Sequence, residues 1–184
     1  MSDNSQTIVD VDAGADEAPR LAEELLTWLS AEGIVEPDPS DCIVGEGQGY
    51  APGPRFFVAL ESPSAAEDFL ALASNGLRIA TGRHVFDTGG NGLELSCAAC
   101  GSTFEPGPEW MDTVTDWHDG NDDAVFSCPA CNNSQRLADW RGPWAWSFGH
   151  LGLEFWNWPP LSGEFLRTVE QRLKHRTVLV RCHL

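Results

Sequence analysis

The chain has 184 residues, of which 42% are apolar and eight are Trp, enough for one ordinary domain with a real core and too apolar for wholesale disorder. The formal net charge is −17, unevenly spread: residues 1–50 carry twelve acids and one base, residues 84–135 nine acids and no base, and residues 136–184 four acids and seven bases. Duplex nucleic acid needs clustered Lys and Arg to displace its counterions, so most of this chain is unsuited to it and better matched to basic proteins or cations.

Residues 1–17 read as a solvated acidic tail, without the basic start and apolar stretch of a signal peptide. The longest apolar run, "FFVAL", is far short of the ~20 residues that span a bilayer. A helix follows, with Pro19 in its first turn, Gly33 past its end, and Leu21, Leu25, Trp28 and Leu29 on one face. "EPDPSDCIVGEGQGYAPGPR" is punctuated by Pro and Gly and reads as an irregular connection. "RFFVAL" (55–60) is expected as a short buried strand. A helix capped by Ser64 and Glu67 should follow and stop at Gly76, leading into extended "LRIATGRHVFD" (77–87).

The last third repeats that order. "WAWSFGHLGLEFWNW" (144–158) is extended, with Leu151, Leu153 and Phe155 alternating onto one face. Phe165, Leu166, Val169 and Leu173 form a helical stripe, and "RTVLVRCHL" (176–184) is a final strand. Two strand–helix–strand units imply an α+β fold, a ferredoxin-like split β-α-β sandwich with both helices on one face and an extra N-terminal helix. The single domain would run over 18–184, with 88–140 inserted as a separate lobe. Within it, "PEWMDTVTDWHDG" reads as a helix with Trp110, Val114 and Trp117 on one side and Asp112, Asp116 and Asp119 towards the other.

The insertion holds "SCAACGS" and "SCPACNN", two Cys-x-x-Cys pairs 27 residues apart. One such pair at a tight turn supplies two of the four ligands of a zinc tetrahedron, and the residue after it favours a left-handed backbone, here Gly101 and Asn132. Strand-like leads, "GLELS" and "AVFS", enter both. The alternatives are two unrelated thiol pairs or a redox dithiol. The C-A-A-C-G and C-P-A-C-N knuckles resemble the zinc-ribbon pattern over residues 97–131, which implies Cys97, Cys100, Cys128 and Cys131 as ligands of a structural Zn2+. The long gap departs from compact ribbons by placing a helix where they carry a hairpin. Four thiolates close the coordination sphere, and the His-x-Glu or Cys-x-Glu partner of a zinc deaminase is absent, so the metal is expected to be an anchor. Paired Cys without a signal peptide point to metal thiolates in a reducing, cytoplasmic setting.

Other chemistry is sparse. "GEGQGYAPGP" fits neither phosphate-binding motif and lacks the Lys. Cys42 and Cys182 are lone, and the adjacent Cys182 and His183 would face opposite sides of a strand. Trp156 and Trp158 point away from the face of Leu151, Leu153 and Phe155; they form either an aromatic platform on the open side of the sheet or a site buried by the lobe or the N-terminal helix. The composition suggests a non-enzymatic, zinc-stabilised binding or adaptor protein offering acids to a basic protein partner, as immunity proteins do, with Asp112, Asp116, Asp119, Trp156 and Trp158 as partner-binding candidates. Two rivals remain: an enzyme or small-molecule binder with Asp139, Arg141 or Glu154 in an aromatic cleft, and a module for single-stranded nucleic acid.

Overall fold

The computed structural model describes residues 3–62 and 69–184. Its main feature is a six-stranded antiparallel sheet in the order β11-β1-β10-β4-β3-β2. The strands are β1 (Asn4–Asp10), β2 (Val35–Ser40), β3 (Gly49–Pro52), β4 (Leu77–Phe86), β10 (Ser147–Trp156) and β11 (Thr177–His183). The expected tail over 1–17 is therefore corrected, because β1 is an interior strand, buried from Ser5 to Asp10 and paired with both β10 and β11. Its β-branched run Thr7-Ile8-Val9 supplies the strand, and its one acid, Asp10, is bound inside the fold. Asp10 is fully buried, accepts the backbone N–H groups of Asp12 and Ala13, and lies 2.8 Å from His175 Nδ1. Asp12 accepts the Arg176 side chain and its backbone N–H.

Residues Phe56–Ala59 form a 3-10 turn, not the expected strand. Phe56 and Ala59 are buried while Phe57 and Val58 face solvent, so the apolar run repeats every third residue. The cap expected at Ser64 and Glu67 falls outside the described residues, but the described residues 70–76 are not helical, so no helix runs on to a stop at Gly76. The other expected helices are present as α1 (Ala18–Ala31), α2 (Glu109–His118) and α3 (Gly163–Leu173), the last begun by the Ser162 hydroxyl accepting Phe165 N–H at 3.0 Å. Among the described residues no helix is long and apolar enough to cross a membrane.

Helices α1 and α3 share one face of the sheet. Leu21, Leu25 and Leu29 of α1 and Phe165, Val169 and Leu173 of α3 pack with Ile8, Leu77, Leu151, Leu153 and Phe155 in the main core. Trp28 stacks on Phe165 at 6.1 Å and carries the Arg172 guanidinium at 4.3 Å. The opposite face is covered piecemeal, and β10 shows how. Phe148 joins a second core, Gly152 lies against the Phe86 ring, Glu154 pairs with Arg78, and Trp156 packs under Cys42 and Ile43.

That second core belongs to a lobe between β4 and β10. It has a three-stranded sheet, β5 (Glu94–Ser96), β6 (Thr103–Phe104) and β9 (Arg141–Trp144), and a hairpin of β7 (Val125–Ser127) and β8 (Ser134–Arg136). Trp110, Val114 and Trp117 of α2 are buried in it with Leu95, Phe126, Leu137 and Trp140. The lobe reaches past residue 140: β9 pairs with β5, and Phe148 packs on Trp110 and Trp117 at ring distances of 5.9 and 5.2 Å. Arg83 of β4 ties the lobe on from below, lying 4.5 Å over the Trp117 ring and 2.6 Å from Asp122.

Candidate metal centre

Each Cys pair sits on the turn of a short hairpin, and the two turns are built alike. In the first, Cys97 N–H donates to the Ser102 carbonyl and Gly101 N–H to the Cys97 carbonyl, both at 2.8 Å. In the second, Cys128 N–H donates to the Asn133 carbonyl and Asn132 N–H to the Cys128 carbonyl, both at 2.9 Å. The residue after each second Cys is left-handed, Gly101 at φ 73° and Asn132 at φ 57°, as the sequence suggested. In both, the first Cys is buried and the second exposed, so sulfurs from the inside and outside of each turn converge.

All four sulfurs lie within 4.8 Å of one another. Cys97 Sγ is 3.7 Å from Cys131 Sγ, and Cys100 Sγ is 3.8 Å from Cys128 Sγ. A tetrahedron with zinc–sulfur bonds of about 2.3 Å has edges of about 3.8 Å. The cluster is thus compatible with a zinc ion, and its four cysteines are the ones the sequence named.

The Ser102 hydroxyl also belongs here, 3.1 Å from Cys100 Sγ and 3.5 Å from Cys128 Sγ. Sequence reasoning passed over it; its place immediately after Gly101 was the available signal. The Ser102 hydrogen bond lowers the Cys100 thiol and, with the Ala130 and Cys131 amides, brings Cys128 down to about 6. Cys131 behaves oppositely. The Asn133 amide pulls it down, but burial and the three neighbouring thiols outweigh that and push it up to about 12. Four sulfurs this close cannot all carry charge unaided, and a bound dication removes that repulsion.

The other candidates are dispersed. Asp112 and Asp116 stand exposed on α2, and Asp119 is exposed at its C-cap. Trp156 and Trp158 are each 5% exposed, so neither forms a platform. Trp156 does point to the helix-free face but is closed in there by Cys42 and Ile43, not by the lobe or α1. Trp158 returns to the main core because Asn157 is left-handed, at φ 56°, and breaks the strand alternation; its indole N–H donates to the Asn75 carbonyl at 2.7 Å. The polar residues expected beside them are already paired. Asp139 pairs with Arg136 and Arg176, Arg141 donates to the Ala138 and Trp140 carbonyls, and Glu154 pairs with Arg78, whose guanidinium lies 5.9 Å over the Trp156 ring. The Gly-rich loop is structural at Gly49, where a Cβ would meet Ile43 at 2.3 Å and the Leu77 carbonyl at 2.9 Å. In comparisons with family models, curated proteins and solved structures nothing matches the chain, so its site stands on its own geometry.

Proposed function

We propose that the chain is a zinc-stabilised, non-enzymatic binding protein whose metal lobe offers an acidic face to a basic protein partner. Zinc is the metal that suits the donor set: four thiolates at tetrahedral spacing, with no coordination position left for water or substrate. Such a centre holds two hairpins together and performs no Lewis-acid chemistry. The strand order β11-β1-β10-β4, with α1 and α3 on one face, supports a ferredoxin-like core extended by β3 and β2, into which a ribbon-like lobe is inserted.

The observation that carries the functional reading is the division of α2. Its apolar side is spent on the lobe core, and its outer side presents Asp112, Asp116 and Asp119 to solvent. Among the described residues no Lys or Arg pairs with these three, and the base within pairing range is His118, 3.9 Å from Asp119. An un-neutralised acidic face on a chain of net charge −17 attracts a basic partner and speeds its encounter. A single-strand nucleic-acid reading loses its aromatic platform with the burial of Trp156 and Trp158.

The test is capture from the native host with the tagged protein, followed by the triple variant Asp112→Lys, Asp116→Lys, Asp119→Lys. A stoichiometric basic protein that elutes with salt and is lost in the variant, at unchanged metal content and melting, is the expected result. Capture of the same protein by the variant, or no basic protein at all, refutes the proposal.

A further inference from the structure

The helix-free face of the main sheet contains a polar cavity. The end of β4, His84 to Phe86, and the residues 87–90 that follow it lead over this face towards β11. The Phe86 ring occupies the place a Cβ on Gly152 would take, at 2.5 Å. At the far end Gly90 N–H donates to the His183 carbonyl at 2.7 Å, and His183 N–H to the Thr88 carbonyl at 3.3 Å. Between strap and sheet lies a cavity of about 400 Å³, lined chiefly by Ser5, Thr7, Arg78, Asp87, Glu154 and Cys182, with Phe86 in its wall.

A sheet face covered by chain is ordinarily apolar; this floor is not. Ser5 and Thr7 are each 3% exposed and Glu154 9%. The Ser5 hydroxyl bonds the Cys182 thiol, but the Thr7 hydroxyl has no side-chain hydrogen bond among the described residues. That hydroxyl belongs to a residue buried in the sheet, yet it opens onto the cavity, where an occupant can supply the bond. The charge balance says what kind of group that is. Arg78 Nε lies 2.6 Å from Glu154 Oε2 and cancels one charge, which leaves Asp87, at the exposed rim and accepting Gly89 N–H at 2.7 Å, as the excess charge. Burial, then the charges of Asp87 and Glu154, raise the Cys182 thiol, so it stays protonated and both carboxylates act on the same space.

We propose that this cavity binds an organic cation, an alkylammonium group charge-paired with Asp87 and Glu154, hydrogen-bonded to the Thr7 hydroxyl and flanked by the Phe86 ring. The group comes either from a free amine or from a lysine side chain of the basic partner, and only the second source rests on the function proposed above.

The test titrates the full, metal-loaded chain with cadaverine and, separately, with Nα-acetyl-lysine methylamide, followed by NMR shifts at Ser5, Thr7 and Cys182 and by calorimetry. Saturable shifts at these residues with at least one amine are expected, and none with Nα-acetyl-norleucine methylamide. Asp87→Asn and Thr7→Val should each weaken binding about tenfold, the loss expected for one hydrogen bond to a charged group. Both replacements nearly keep size, whereas Glu154→Gln also strips Arg78 of its partner. Cadaverine binding alone assigns a free amine; binding of the lysine derivative alone assigns a partner's side chain. No saturable shift with either amine, equal binding of the norleucine derivative, or undiminished binding in both variants overturns the proposal. A failed capture of a basic partner leaves the cadaverine result standing, so the two proposals fail separately.

Discussion

Replacing Cys128 with Ser should unfold the lobe and leave the main sheet folded. Cys128 is fully buried, with its sulfur 3.8 Å from Cys100 Sγ, and the replacement removes one of the four clustered thiols that could hold the ion. The lobe has little else to stand on. Its α2 has ten residues, below the ~12–15 at which an isolated helix becomes even marginal, and its core holds eleven buried residues, two of them cysteines of the cluster. Structural zinc contributes about 10–16 kcal/mol in small peptides, as much as or more than the ~5–15 kcal/mol that stabilises a whole domain. The lobe cannot absorb such a loss. The main core contains no lobe residue and keeps its own helices and strands. Native-state hydrogen exchange reads both outcomes at once: the amides of Gly101, Asn132 and Leu137 should lose protection while those of β1 and β10 keep theirs. Unchanged metal content with unchanged lobe protection would refute the metal anchor. Simultaneous loss across both cores would refute their independence.

Two further outcomes follow from contacts at the edges of these cores. Phe148→Ala empties a fully buried ring from between Trp110 and Trp117, and should cost about 3–5 kcal/mol in urea unfolding, with the lobe melting apart from the sheet; one unshifted transition would show that Phe148 does not couple them. The hydrogen bond to Asp10, opposed by burial, raises the His175 pKa above its ordinary value. Its stabilisation is therefore complete below the unfolded pKa of about 6.5 and fades as pH rises through the elevated folded value. Urea midpoints should fall across that window in the parent and stay flatter in His175→Gln; parallel profiles would refute the assignment.

The elements that could be read from sequence are those whose apolar residues keep one period. In α1, α2 and α3 the helical stripes are the buried stripes, and in β10 the alternation of Leu151, Leu153 and Phe155 is the core face. Both knuckles were legible because their constraint is local: a turn, a left-handed residue and two sulfurs lie within five positions. What could not be read depended on distant partners. β1 looks like an acidic tail because Ser5, Gln6, Thr7 and Asp10 are polar, yet each is buried by something remote in sequence. Gln6 donates to the Trp158 and Pro159 carbonyls, Asp10 meets His175, and Ser5 meets Cys182.

The same remoteness separates the metal centre from the cavity as objects of sequence reasoning. Cys97 and Cys131 are 34 positions apart, but each comes with a near neighbour that announces it. Thr7, Arg78 and Glu154 lie side by side only because β1, β10 and β4 pair in register, Thr7 opposite Glu154 and Glu154 opposite Arg78. Nothing within any one strand marks them. A polar row across three interior strands is the kind of exception that a sheet optimised for stability alone would replace with Val, Leu or Ile. Here the replacement has been made on both sides of it: Val9 and Val180 flank Thr7, and Ala80 follows Arg78 on the same face. The polar patch is therefore confined to the place where residues 84–90 cross and leave room above the sheet. Its cost to the fold falls where a ligand can repay it.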